Sequence, residues 1–165
     1  MIVIREAIAS DISSICSIAH ATWAVAYKDI LSIEQMEYML ESMYSNKSLV
    51  HQINTGHRFI MLLQNDIPEG FISFEFGYGS VTVVKIHKYY ILPSTQGKGL
   101  GTRLLDTITE LAKQQGMDTI TLNVNRFNES VEHYKARGFS IVGSEDIDIG
   151  NGFLMEDYIM EKKIS

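Results

Sequence analysis

The chain has 165 residues, 45% of them hydrophobic and 21% charged, with a net charge of −6 at neutral pH. This size suits a single α/β domain over 1–165, which buries roughly two-thirds of its unfolded surface without disulfide or metal staples. An acidic balance argues against a nucleic-acid ligand, which asks for a basic face, and no apolar run approaches the ~18 residues of a membrane span. Nothing at Met1–Glu6 has the basic-then-apolar order of a secretory leader, so the expected compartment is the cytoplasm, with no membrane association.

Residues 1–6 read as a first strand. Ser10 is placed to cap a helix with the apolar stripe Ile12, Ile15, Cys16, Ala19 and Trp23. Ser32-Ile33-Glu34-Gln35 matches a capping box and opens a second stripe of Ile33, Met36, Leu40 and Met43. A third, short helix covers 45–54. The pattern then changes to strands, with Phe59–Leu63 apolar, a turn over 65–70 and a return strand over 71–76. Residues 81–92 form a longer strand. A helix over 99–115 follows on Leu100, Leu104, Leu105, Ile108, Leu111 and Ala112, with Gly116 placed to end it. Thr119–Val124 alternates as a half-buried strand, a helix spans 128–137 up to Gly138, and strands near 139–145 and 153–161 close the chain. This order predicts a mostly antiparallel sheet with one parallel pair joined by the 99–115 helix.

The chemistry concentrates at Tyr90-Ile91-Leu92-Pro93-Ser94-Thr95-Gln96-Gly97-Lys98-Gly99-Leu100-Gly101-Thr102. A strand, a glycine-rich turn and a helix start present backbone N–H groups at the positive end of a helix, an arrangement that binds pyrophosphate. Glycines at 97, 99 and 101 miss the Rossmann spacing, and Lys98 is followed by Gly99 rather than Ser or Thr, so a Walker loop fails too. Gln96-x-x-Gly99-x-Gly101 instead resembles the acetyl-CoA loop of the GNAT superfamily of N-acetyltransferases. Downstream, Asn123 to Asn125, Asn128, Tyr134 and Gly138-Phe139 resemble that family's strand–Asn–helix–Tyr-x-x-x-Gly-Phe ending. Many members place the Asn one residue further from the Tyr and an Ala where Ser130 stands. The two segments span about 81–139. More faintly, Thr22-Trp23, Tyr27 and Tyr158-Ile159-Met160 resemble bacterial polyamine acetyltransferases.

The resemblance implies a twisted sheet with a central splayed parallel strand pair, flanked by helices. It implies acetyl-CoA as co-substrate, held by Gln96, Gly97, Lys98, Gly99, Leu100, Gly101 and Thr102. It also implies backbone donors at Tyr89 (acetyl oxygen) and Ile91 (pantetheine), an Asn128 contact to the pantetheine arm, and a Tyr134 hydroxyl that protonates the departing thiolate. Some members carry a glutamate base eleven positions before the loop glutamine, where this chain has Lys85. An alkyl amine, with a pKa of about 10.4, must lose a proton before it attacks. The nearest candidate base is His87, two residues on and so on the same strand face as Lys85. Glu75 is the second candidate, through water.

The acceptor side draws on Trp23, Tyr27, Tyr38, Tyr44, Phe74, Phe76 and Tyr78, with carboxylates Glu75, Asp146, Asp148, Glu156 and Asp157. Rings and carboxylates together suit a cationic amine, whether a small polyamine-like molecule or a protein or peptide amine. The competing reading is a non-catalytic acetyl-CoA sensor, favoured by Lys85. No metal is expected: Cys16 and His20 share a helix face but lack further ligands at zinc spacing. A homodimer is compatible with the sequence, which does not specify it.

Overall fold

The computed structural model describes all residues 1–165. The chain folds as β1 (Ile2–Glu6), α1 (Ile12–Ala26), α2 (Ile33–Tyr44), α3 (Asn46–Asn54), β2 (Arg58–Gln64), β3 (Ile67–Phe76) and β4 (Val83–Ile91). Then come α4 (Leu100–Gln114), β5 (Thr119–Asn125), α5 (Ser130–Ala136), β6 (Ser140–Gly150) and β7 (Phe153–Lys163). Every element read from the sequence is present, in the expected order. The strands pair in the order β1-β2-β3-β4-β5-β7-β6. No helix is long and apolar enough to cross a membrane.

Two compact units divide the chain. One comprises Met1–Glu75 with Lys88–Ile108, the other Phe76–His87 with Thr109–Ser165. In the first, the antiparallel strands β1, β2 and β3 belong with a helical layer whose buried side chains include Ile15, Ile18, Trp23, Met39, Tyr44 and Leu49. Ser32 caps α2 as its sequence suggests, accepting from the Gln35 amide at 3.1 Å. Ser10 does not cap α1. It sits inside a 3-10 turn, Ala9–Asp11; Asp11 holds the N-cap position of α1 without a side-chain bond to that helix, and its carboxylate closes the 3-10 turn by accepting from the Ile8 amide at 2.8 Å. Arg5 reaches both Asp11 oxygens, at 2.7 and 3.1 Å, and holds this buried carboxyl below the usual carboxylate range.

The predicted 65–70 turn is shorter in the structure. Only Asn65 and Asp66 turn, both at positive φ, and β3 already starts at Ile67. Pro68 is accommodated because the β2–β3 register shifts between Leu62 and Leu63, opposite it. Gly70 is needed where it stands: a Cβ there would lie 2.4 Å from Ile91 Cδ1 and 2.9 Å from the Tyr90 carbonyl.

In the second unit β4 and β5 are parallel, with Val83, Val84, Lys85 and Ile86 opposite Thr119, Ile120, Thr121 and Leu122. The ladder stops there, although β4 runs on to Ile91 and β5 to Asn125. β7 lies antiparallel to β5 on one side and to β6 on the other. The β6–β7 hairpin turns on Asn151-Gly152, both at positive φ, the combination a two-residue turn demands.

Candidate active site

In the first unit β4 leads straight into the glycine-rich turn, and two side chains pin that turn back onto the strand. The Gln96 amide Nε2 donates to the Ile91 carbonyl at 3.0 Å, and the Tyr89 hydroxyl donates to the Gly101 carbonyl. Gln96 therefore positions the loop through its side chain. Gly97 and Gly99 adopt φ of +85° and +75°, and nothing lies within 4 Å of where a Cβ would project from either. The left-handed backbone requires glycine, and the space over it is open. Gly97, Lys98 and Gly99 are exposed. Leu100 begins α4, whose first-turn amides have no acceptor within the helix. An exposed glycine turn that leads into a helix start, with one lysine beside it, is the kind of backbone and charge a diphosphate fits.

Also in the first unit, a carboxylate oxygen of Glu75 lies 3.5 Å from His57 Nε2, a partnership no sequence spacing reveals. Burial lowers the His57 pKa, the nearby Lys88 charge adds to the fall, and Glu75 opposes it. Of the aromatic residues assigned to the acceptor side, Trp23, Tyr27, Tyr44 and Phe74 are core, with Trp23 only 1% exposed. Trp23 packs on Tyr27 at 4.6 Å and on Tyr44 at 5.8 Å between ring centres, and Tyr44 packs on Tyr90 at 6.3 Å. Tyr38, Phe76 and Tyr78 retain exposure.

The second unit carries a polar strip. His87 and Lys85, two apart on β4, flank one ring: Tyr78 lies 5.8 Å from the His87 ring and 5.1 Å from the Lys85 ammonium. Lys85 donates to Asn123 Oδ1 at 2.6 Å. The Asn123 Nδ2 in turn donates to Glu145 at 2.7 Å and to Asp157 at 3.3 Å. Burial lowers the Lys85 pKa, with Glu145 and Asp157 opposing. Burial raises that of Asp157, Asn123's hydrogen bond opposes the rise, and Glu145's charge adds to it. On the same unit Tyr134 is half-buried in α5 and stacks edge-on against Phe139 at 5.5 Å. Asn128 Oδ1 accepts from the Ser130 amide at 2.8 Å, shaping the start of α5.

Against this geometry, residues 19–139 match the model of the acetyltransferase (GNAT) family. The chain belongs to the GNAT acetyltransferases. Its curated relatives include the spermidine N(1)-acetyltransferase of Thermoplasma acidophilum, 26% identical over 97% of this chain and 96% of that one. The crystal structure of the PaiA N-acetyltransferase from Thermoplasma acidophilum, in complex with coenzyme A, superposes with a TM-score of 0.82. It covers 99% of both chains at 25% identity. A GCN5-related N-acetyltransferase from Rhodopseudomonas palustris shares the fold at a TM-score of 0.84 and 20% identity, over 98% and 94% of the two chains.

For this GNAT acetyltransferase the sequence reading missed three residues of interest. Lys88 is 5% exposed, and burial pushes its ammonium down to about 8; its Nζ stands 5.4 Å from the Tyr44 ring centre. Its strand parity with Val84 and Ile86, both buried, was the available signal. Asn123 and Glu145 were missed because their roles come from neighbours 22 and 38 positions away.

Proposed function

We propose that this acetyltransferase moves the acetyl group of acetyl-CoA to a primary amine of a small, polyamine-like molecule, by direct attack within a ternary complex. The observation that carries this reading is the pinned 96–101 turn, whose glycines are held at positive φ with open space over them. The name of the spermidine-acetylating relative supports the choice of acceptor over a protein or peptide amine.

In this reading the loop amides and Lys98 hold the diphosphate, while the Tyr89 and Ile91 amides donate to the acetyl oxygen and the pantetheine arm. Asn128 spends its carbonyl oxygen on Ser130, which leaves its Nδ2 as the end that reaches the arm. Acetyl-CoA supplies a thioester carbonyl for attack. A neutral amine adds to it, His87 takes the amine proton, and Tyr134 protonates the departing thiolate. Glu75 is the alternative base, acting through water. The rival reading, a sensor that binds without turnover, draws on Lys85 standing where a carboxylate base is found in relatives.

Calorimetric titration with acetyl-CoA, coenzyme A and ATP, followed by a thiol-release assay over an amine panel, tests the reading. Binding of both acetyl-CoA and coenzyme A with thiol release on a polyamine is the expected result. Tight binding without release across the panel would favour the sensor, and preference for ATP would end both readings.

A further inference from the structure

Glu145 and Asp157 stand directly opposite one another across the β6–β7 ladder. Side chains so paired share a face with Cβ atoms about 5 Å apart, where like charges destabilise the sheet. The chain does not neutralise the pair directly. The Lys85 ammonium stops one residue short, on the carbonyl oxygen of Asn123, and Arg126 is engaged by Asp146. Both carboxylates share only the Nδ2 group of Asn123. Asp157 is 6% exposed, and its Oδ1 is buried without any hydrogen-bond donor. A buried carboxylate oxygen lacking a donor is costly and is seldom left so in a folded protein.

Resting on the amine-acetylating reading above, we infer that Glu145 and Asp157, bridged by Asn123, bind the second, non-reacting ammonium of a linear di- or polyamine acceptor. An alkylammonium supplies three N–H donors, enough for Asp157 Oδ1 and for the exposed Glu145. One step along the same face Ile147 stands opposite Met155, both half-buried. They offer apolar surface to the methylene chain of such a molecule. β7, which carries Asp157, is separated from β4, which carries His87, by β5 alone. Where the strands pair, that is about 10 Å; His87 lies just past the end of the β4–β5 ladder, so the span there is longer, and a linear polyamine bridges it. Lys85 reduces the negative potential at the pair and so tunes its affinity.

The test compares 1,4-diaminobutane and spermidine with butylamine in thiol release, together with calorimetric titration of spermidine into the chain saturated with coenzyme A. The wild-type chain is expected to favour the polyamines. Asp157→Asn and Glu145→Gln should each lower the polyamine-to-butylamine ratio of kcat/KM by about tenfold, through KM, as loss of one charge-assisted hydrogen bond does. Lys85→Gln should move the other way and tighten spermidine about threefold by removing a repelling charge, an effect that local collapse would not produce. A parallel fall for all amines, or an unchanged ratio, would overturn the inference. If no amine releases thiol, the acetyl-transfer reading fails, and calorimetry still decides the site. Spermidine binding that the Glu145→Gln/Asp157→Asn double variant loses upholds it, and a wild-type chain that binds no spermidine refutes it.

Discussion

At Gly99 the backbone holds φ +75° and the space over it is open, so a substitution there tests conformation and ligand rather than packing. Gly99→Glu strains the left-handed turn and sets a carboxylate where a diphosphate is proposed to sit. Binding of coenzyme A should fall by more than about a hundredfold in calorimetry, with the far-ultraviolet dichroism of the fold retained. Gly101 is a different case. A Cβ there would approach the Tyr89 hydroxyl to 3.1 Å, and that hydroxyl is the tether between strand and loop. Gly101→Ala therefore disturbs the tether, and a loss of about 1 kcal/mol in chemical denaturation is expected. Tyr134→Phe removes one hydroxyl and keeps the ring contact with Phe139. Acetyl-CoA affinity should stay within about twofold while kcat falls at least tenfold or so. An unchanged kcat in the thiol-release assay would take Tyr134 out of the reaction.

At the scale of elements, the readings that rest on local patterns agree with the structure. Of the α4 stripe, Leu100, Leu104, Leu105, Ile108 and Ala112 are buried as its spacing predicts, with Leu111 half-buried, and Gly116 ends the helix region at positive φ. What stayed hidden depends on partners distant in sequence: His57 meeting Glu75 and Lys85 reaching Asn123. Nothing in a local window encodes such pairings. On the acceptor side, Trp23 and Tyr44 on helices cannot be told from pocket walls until their packing is seen, and both are core. β4 shows how far periodicity goes. Its inward parity marks Lys88 as buried, and burial then sets its chemistry. An ammonium with a native pKa of about 8 and an ordinary value of 10.5 is held more weakly by the folded chain than by the unfolded one. The unfolded state thus binds more protons between those values, and stability rises with pH across that window. The penalty is fully present below pH 8. Lys88→Met should therefore stabilise the chain at pH 7 by about 1–3 kcal/mol, part of the gain being offset by the lost contact with the Tyr44 ring. Urea denaturation at pH 7 and at pH 10 checks this: the advantage of the variant must shrink at the higher pH.

For the whole molecule, the question is whether two compact units behave as one. Domains joined by a linker pass from one to the next through exposed, irregular chain. Here the chain passes between units at 75/76, 87/88 and 108/109. Each crossing falls inside a regular element: β3 (Ile67–Phe76), β4 (Val83–Ile91) and α4 (Leu100–Gln114). Unfolding either unit alone would have to interrupt β4 and α4 within their length. We therefore expect 1–165 to melt as one domain, in a single calorimetric transition with van't Hoff and calorimetric enthalpies equal. Coenzyme A bound only to the folded chain adds about 2.7 kcal/mol at a hundred times its Kd. At this chain length that raises Tm by roughly 5–10 °C. With coenzyme A present the single transition should move as a whole without splitting. Gly99→Glu should abolish the shift. Two resolved transitions would show that the units fold separately.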